Sequence, residues 1–179
     1  MKFDLRTFKT VLGYGLTRIE KLAGFSLKAS QLEAIYNYLP INPQLATSGQ
    51  PTTNQFNAIQ RAGYSTIINL APANAENALR NEIAVIASLG MNYINIPVDF
   101  SNPSQQDFEK FVSLLQRHSN EKIWVHCAAN MRVSCFIFKY RTAILGTNPN
   151  HAQADLRKIW QPNTVWEKFI AKPVSRSLT

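Results

Sequence analysis

Short apolar runs alternate with segments of helical period in this chain, and this alternation constrains the fold more than any other feature. The runs at residues 66–70, 92–96 and 123–126 predict buried strands. Residues 76–89 and 103–119, which lie between these runs, predict helices. Such an order is typical of right-handed crossovers in a mainly parallel sheet with helices on both faces. The sequence therefore predicts an α/β fold.

The segments before and after this region extend the pattern. A strand is predicted from Leu45 in LATSGQP, which gives a central sheet of four to five strands. Thr52 with Gln55 matches a capping box, so a helix should begin there and run to about residue 62. Further helices are predicted at residues 31–38, in the apolar segment after residue 134, and near residues 152–160 and 165–170.

The N-terminal part of the chain has a different character. Residues 5–25 place apolar side chains at near-helical spacing, with basic side chains off that stripe. We predict a helical extension over residues 1–28 and one domain over residues 29–179. The extension either packs on the domain or makes weak contact with a membrane surface. It lacks the apolar core of a signal peptide, and no apolar run in the sequence is long enough to span a bilayer.

The charge balance favours an anionic partner. The 179 residues include 19 Lys and Arg against 11 Asp and Glu, a formal net charge of +8. The basic residues are spread along the chain instead of clustering with aromatic ones. The charge therefore favours phosphorylated substrates or acidic membrane surfaces, and we expect no nucleic acid. No spacing of His, Cys, Asp and Glu matches a metal site, and we expect neither a metal nor an organic cofactor.

The two cysteines, Cys127 and Cys135, lie in one segment that is predicted as a loop followed by a helix. A disulfide between them is disfavoured by geometry, so a reducing compartment, the cytoplasm, is predicted. Cys135 falls one turn inside the helix and is predicted to be a core residue.

The segment VHCAANMRVS, residues 125–134, is the strongest candidate for chemistry. Cys127 directly follows a predicted strand, and ligands of an open parallel sheet bind beyond the carboxyl ends of the strands. A tight loop before a helix points backbone N–H groups into one concavity, where the helix dipole favours an anion and the thiolate form of a cysteine. Arg132 adds a planar fork for two oxygens of one anion. Asn130 is the loop residue best able to adopt a left-handed backbone. From the residues alone, the segment is either an anion site or a structural turn.

The loop HCAANMR resembles the signature H-C-x-x-G-x-x-R-S/T of cysteine-dependent protein tyrosine and dual-specificity phosphatases. More closely, the chain resembles a bacterial dual-specificity-phosphatase-like family that also occurs fused in beta-lactamase-hydrolase-like proteins. This resemblance covers about residues 39–170, through TSGQPT, FNAIQRAGYSTIINLAP, YINIPVDF and VHCAANMRVS. It implies a cysteine-phosphatase type of α/β domain that hydrolyses phosphate monoesters, with phosphotyrosine or phosphoserine/threonine as candidates, on a phosphorylated protein or a small phosphorylated substrate.

The resemblance also implies roles for individual residues. Cys127 is the nucleophile that forms a phosphocysteine, and Arg132 with the loop amides stabilises the phosphoryl oxygens. Asp99, 28 positions before Cys127, is implied as the general acid, with Asp107 as the alternative. Substrate contacts are expected from the loop and its flanks, at His126, Ala128, Ala129, Asn130, Met131, Arg132 and Ser134. Polar residues near other strand ends line the pocket or form turns, namely Ser48, Gln50, Asn69 and Asn74.

One departure from the phosphatase pattern leaves alternatives open. Four residues separate Cys127 from Arg132, where the usual signature has five, and Asn130 stands where a shorter loop has glycine. Ser134 keeps the position of the usual hydroxyl, counted from the cysteine. The bacterial family shares the short spacing, but this spacing also resembles rhodanese-type sulfurtransferases. A rhodanese-like sulfurtransferase and a non-catalytic phosphate- or anion-binding module therefore remain alternatives to a phosphatase.

Overall fold

The computed structural model describes residues 7, 9–11, 13 and 32–174. Within these residues the strands are β1 (Leu39–Asn42), β2 (Leu45–Ser48), β3 (Thr66–Asn69), β4 (Asn92–Asn95) and β5 (Ile123–His126). The helices are α1 (Thr53–Arg61), α2 (Glu82–Ser88), α3 (Gln105–Arg117), α4 (Met131–Ala143), α5 (Pro149–Ile159) and α6 (Thr164–Ala171). Strands and helices alternate along the chain from β2 to α4, as the hydrophobic pattern predicted.

The described strands form one sheet in the order β1-β2-β5-β3-β4. The pairs β2–β5, β5–β3 and β3–β4 are parallel, and the pair β1–β2 is antiparallel. This arrangement confirms the predicted mainly parallel α/β fold. β5 lies at the centre, with Val125 opposite Thr47 on one side and Ile68 on the other. The segment that follows β5 therefore begins in the middle of the carboxyl edge of the sheet.

Helices cover both faces of the sheet, as predicted, and each face has its own apolar core. Side chains of α3 to α6, such as Phe108, Phe136 and Trp166, pack on the face to which Val125 contributes. Side chains of α1 and α2 pack on the other face together with Trp124. Neighbouring residues of β5 thus point to opposite cores, which is the period-two alternation of a strand buried on both sides.

Two predicted helices are shorter in the structure than the sequence indicated. The helix predicted over residues 76–89 begins only at Glu82, and two successive turns precede it. Asn77 in this region donates from its side chain to the carbonyl of Ala128, a bond to the distant loop that competes with a helical backbone. The predicted helix at residues 31–38 is a 3₁₀ turn at Leu32–Ala34, followed by the edge strand β1, which the sequence did not indicate. Pro40 lies in β1, and an edge strand tolerates proline because one side of it needs no donors.

The predicted helical extension over residues 1–28 lies mostly outside the described residues. The described ones, residues 7, 9–11 and 13, have helical backbone. Thr7 accepts a hydrogen bond from the amide of Gln161 at 3.0 Å, and the Thr10 hydroxyl donates to the carbonyl of Ile159. These contacts hold this segment against the end of α5. In the part of the chain that the structure describes, no helix is long and apolar enough to cross a membrane.

Candidate active site

A cavity of about 380 Å³ opens at the carboxyl edge of the sheet, where the chain leaves β5. Its residues from the predicted site are Cys127, Ala128, Ala129, Met131 and Arg132. The remaining lining residues come from three other segments of the chain, namely Val11, Pro72, Asn74, Ala75, Glu76 and Phe100. The structure therefore brings the predicted nucleophile and the predicted arginine together in one concave site.

The loop after Cys127 is held by groups from the surrounding framework. The Cys127 amide donates to the carbonyl of Ser48 at 3.3 Å. The Ala128 carbonyl accepts from the amide of Gln50 at 3.3 Å and from Nδ2 of Asn77 at 3.0 Å. Because the peptide unit is planar, the N–H of the next residue points away from these donors. Helix α4 begins at Met131, so its first amides have no partner within the helix and favour an anion in front of them.

Gly49, in the TSGQPT segment at the end of β2, lies where the backbone passes close to the loop after Cys127. Its amide donates to the carbonyl of Tyr36 at 2.7 Å. A Cβ atom on Gly49 would lie 3.1 Å from the carbonyl oxygen of Tyr36 and 3.2 Å from that of Ala128. Only glycine lets the backbone of this segment approach the loop so closely without displacing it.

Asn130 adopts the left-handed conformation that the sequence predicted for it, with φ of 63° and ψ of 3°. Its side chain is fully buried and does not line the cavity. Nδ2 donates instead to the carbonyl of Asn37 at 2.8 Å and to Oγ1 of Thr47 at 3.0 Å. Asn130 thus turns the backbone from the loop into α4 and fixes that turn to β2.

Arg132 lies in the first turn of α4 with its guanidinium fixed by a different segment. Nε donates to the carbonyl of Val98 at 3.0 Å. The guanidinium carbon lies 5.2 Å from the centre of the Phe100 ring, a cation–π contact. Both contacts leave the terminal amino groups of the fork for an anion in the cavity.

His126 and Ser134 flank the loop but do not line the cavity. His126 is fully buried, and Nε2 lies 3.5 Å from Oε1 of Glu82. Burial lowers the pKa of His126, and the Glu82 carboxylate opposes this shift. Oε2 of Glu82 accepts from Nδ2 of Asn69 at 2.7 Å and from the Tyr93 hydroxyl at 2.9 Å. His126 therefore belongs to a buried polar network behind the cysteine.

Ser134 connects α4 to the helices behind it. Its hydroxyl donates to the carbonyl of Met131 at 2.9 Å and accepts from Nε1 of Trp160 at 3.2 Å. Cys135 is fully buried in the core, as predicted, and burial raises the pKa of its thiol. Both side chains thus support the helix on which the loop depends.

The structure does not bring the two predicted acids into the cavity. Asp99 is exposed, and Oδ1 accepts from the amide of Ser101 at 2.8 Å and from its hydroxyl at 2.7 Å. These hydrogen bonds, with a smaller contribution from the charge of Arg132, lower the pKa of Asp99. Asp107 lies in the first turn of α3, where its carboxylate accepts from the hydroxyl of the N-cap residue Ser104 at 2.7 Å.

Among the described residues, Glu76 is the acidic residue that lines the cavity, and sequence reasoning missed it. A signal for it exists in the sequence, since Glu76 follows β3 and therefore lies near the same edge of the sheet as Cys127. Of the other polar candidates, Asn74 lines the cavity. The other three candidates make hydrogen bonds within the fold and do not line the cavity. Ser48 accepts from Nε1 of Trp124 at 2.9 Å, and Gln50 and Asn69 donate to Glu82.

A five-stranded α/β sheet with an arginine-bearing loop between its central strand and a buried helix defines the class of protein-tyrosine-phosphatase-like domains. The family described as "DSP-PTPase phosphatase fused to NAD+ Kinase" matches residues 34–169. The chain belongs to this family of phosphatases.

Similar proteins support this class. The crystal structure of a protein described as "Putative phosphatase (DUF442)" from Shewanella putrefaciens CN-32 superposes on this chain with a TM-score of 0.70 and 34% identity. The superposition covers 76% of this chain and 87% of that one. TpbA from P. aeruginosa, in complex with phosphotyrosine, has the same fold, with a TM-score of 0.63, 14% identity, and coverage of 80% and 88%. A beta-lactamase hydrolase-like protein from Xylella fastidiosa is 35% identical over 95 residues, 51% of this chain. The match spans 22% of that relative's length.

Proposed function

We propose that this protein is a cysteine-dependent phosphatase that hydrolyses phosphate monoesters through a phosphocysteine intermediate. The observation that carries the proposal is the position of Cys127 on the cavity wall beside the fixed guanidinium of Arg132 and the first amides of α4. Such an arrangement stabilises negative charge on three equatorial oxygens of a transferring phosphoryl group.

In the first step the Cys127 thiolate attacks phosphorus in line with the leaving oxygen. The S–P bond forms, the P–O bond to the substrate breaks, and the leaving oxygen takes a proton from a general acid. In the second step water attacks phosphorus, its proton goes to the same residue, and the S–P bond breaks to release phosphate and the thiolate. The resemblance assigns the acid to Asp99, whose neighbours Val98 and Phe100 contact Arg132.

The cavity suits a phosphate ester whose carrier group is partly apolar. Its walls include Ala75, Phe100 and Met131, which can contact an aromatic ring. Because TpbA, a protein of the same fold, has been crystallised with phosphotyrosine, an aryl phosphate on a protein or a small molecule is the first substrate to test. The thiol must remain reduced for this chemistry, so the cytoplasm predicted from the sequence suits the proposal.

The proposal is tested with 4-nitrophenyl phosphate. We expect Cys127→Ser to abolish turnover, because the nucleophile is lost, and Arg132→Ala to lower kcat/KM by about 10²–10³-fold. Arg132→Lys is the matched control, because it keeps the charge and loses the planar fork, and we expect it to restore little activity. Equal hydrolysis by the wild type and Cys127→Ser would rule out the cysteine mechanism.

The four-residue spacing between Cys127 and Arg132 favours a second function, that of a sulfurtransferase. Cyanide-dependent consumption of thiosulfate that exceeds the hydrolysis of aryl phosphates and is lost in Cys127→Ser would replace the phosphatase proposal. Binding of inorganic phosphate by both wild type and Cys127→Ser, without turnover of any ester by the wild type, would identify a non-catalytic anion-binding module.

A further inference from the structure

We infer that Trp166, in α6, is a positioning residue for the turn that carries Asp99. The inference rests on the proposed function, in which Asp99 is the general acid. The Asp99 side chain is exposed, and its carboxylate accepts from the amide and the hydroxyl of Ser101, two positions further along the same turn. Its place in the site is therefore set by the backbone of the turn, which must be held by other parts of the fold.

The peptide units on both sides of Asp99 have separate donors from different helices. The carbonyl of Val98 accepts from Nε of Arg132, in α4, at 3.0 Å. The carbonyl of Phe100 accepts from Nε1 of Trp166, in α6, at 3.0 Å. The turn is therefore fastened before Asp99 by a residue of the anion site and after Asp99 by a residue 66 positions away in the chain from Phe100.

Trp166 is itself held firmly in place. It is fully buried, and its amide donates to Oδ1 of Asn163, the N-cap residue of α6, at 3.2 Å. Its ring centre lies 6.2 Å from that of Phe136 in α4 and 5.5 Å from that of Phe100. A buried indole in a packed core has few orientations open to it, so its N–H is a fixed donor. Trp166 therefore holds Phe100 on the cavity wall and, through it, the backbone of Asp99 beside the cavity.

Loss of this donor should affect proton transfer more than anion binding. A general acid must come within hydrogen-bond distance of the leaving oxygen, and small displacements of a catalytic group have large effects on rate. Arg132 keeps its own bond to the carbonyl of Val98 when the N–H of Trp166 is removed. Inhibition by orthovanadate, which tests the anion site without a leaving group, should therefore change by less than about twofold.

Trp166→Phe tests the inference, because it keeps an aromatic ring in the core and removes the N–H donor. Phenoxide is a poor leaving group that needs a proton, whereas 2,4-dinitrophenolate needs none. We expect kcat with phenyl phosphate to fall by about 3–10-fold, as for the loss of one buried hydrogen bond. With 2,4-dinitrophenyl phosphate kcat should change by less than about twofold, which also shows that the variant is folded.

Trp124→Phe is the matched control. Trp124 is also fully buried, and its Nε1 donates to the hydroxyl of Ser48 at 2.9 Å. Its ring packs in the core on the other face of the sheet, away from Trp166. This variant loses a comparable hydrogen bond, and it should change the rates with both esters by the same factor.

A double-mutant cycle separates a positioning role from a merely structural one. Asp99→Asn should lower kcat with phenyl phosphate by about 10²–10⁴-fold. In the Asp99→Asn background, Trp166→Phe should lower this rate further by less than about twofold, because the position of the turn no longer matters once the acid is lost. The same 3–10-fold loss in both backgrounds would overturn the inference.

The inference and the proposed function fail in different ways. If the wild type hydrolyses both esters in a Cys127-dependent manner but Trp166→Phe leaves the ratio of their rates unchanged, the inference is overturned and the phosphatase stands. Equal hydrolysis of phenyl phosphate by Asp99→Asn and the wild type also overturns it, because the turn then carries no acid. If the wild type hydrolyses neither ester, the proposed function fails and the inference falls with it.

Discussion

Replacement of Asn130 tests whether a single left-handed residue holds the anion loop. Asn130→Gly removes the two donors to Asn37 and Thr47 at a fully buried position, which costs about 1–3 kcal/mol of unfolding free energy. Asn130→Ala loses the same bonds and keeps a Cβ at φ of 63°, a strain of about 1–2 kcal/mol that Asn130→Gly avoids. Glycine in turn loses about 0.4–1 kcal/mol through the entropy of the unfolded chain. The net expectation is that Asn130→Gly is more stable than Asn130→Ala by about 1 kcal/mol.

The sign of this stability difference tests whether residue 130 is left-handed, because alanine ordinarily stabilises a helix more than glycine does. Urea unfolding of the two variants at one pH measures it, provided that their m-values agree. Ala84→Gly, at an exposed position inside α2, is the control and should destabilise by about 1 kcal/mol. A variant Asn130→Ala that equals or exceeds Asn130→Gly in stability would show that residue 130 is not left-handed in solution, and the account of the loop would be wrong.

Two buried bases should make stability depend on pH. Burial, with a smaller effect of the charge of Lys172, lowers the pKa of Lys139 from 10.5 to about 8. Between these two pH values the unfolded chain binds more protons than the folded one, so the free energy of unfolding rises with pH. Relative to Lys139→Met, the wild type should therefore gain unfolding free energy between about pH 8 and 10 in urea titrations; a constant difference would contradict this. Burial lowers the pKa of His126 below 6.5. The stability that the folded state gains from keeping this imidazole neutral is therefore present above pH 6.5 and is lost as the pH falls. His126→Gln should accordingly lose less stability than the wild type between about pH 7 and 5, and parallel curves for the two proteins would refute a buried neutral imidazole.

The parts of the fold that followed from the sequence are those with a strong local signal. The run IWVH predicted the central strand, and Thr52 with Gln55 predicted the start of α1, where the structure shows both hydrogen bonds of the capping box. Strand β1 was missed because Pro40 and the short connection to β2 weaken any local strand pattern. It forms because Thr47 and its neighbours offer it a partner strand, and a pairing partner is not a local property.

The candidate site divides along the same line. The sequence by itself determined the α/β class, the place of Cys127 after the central strand and the left-handed turn at Asn130, because hydrophobic period and backbone preference act between near neighbours. Only the tertiary structure decided which of the acidic residues that it describes lines the cavity. Glu76 and Asp99 both follow strands on one edge of the sheet, and what separates them is a bond from Asn77 to the anion loop in one case and a closed turn with Ser101 in the other. The bond from Asn77 to Ala128 joins residues that are far apart in the chain, and the spacing of residues along the sequence does not predict such a contact.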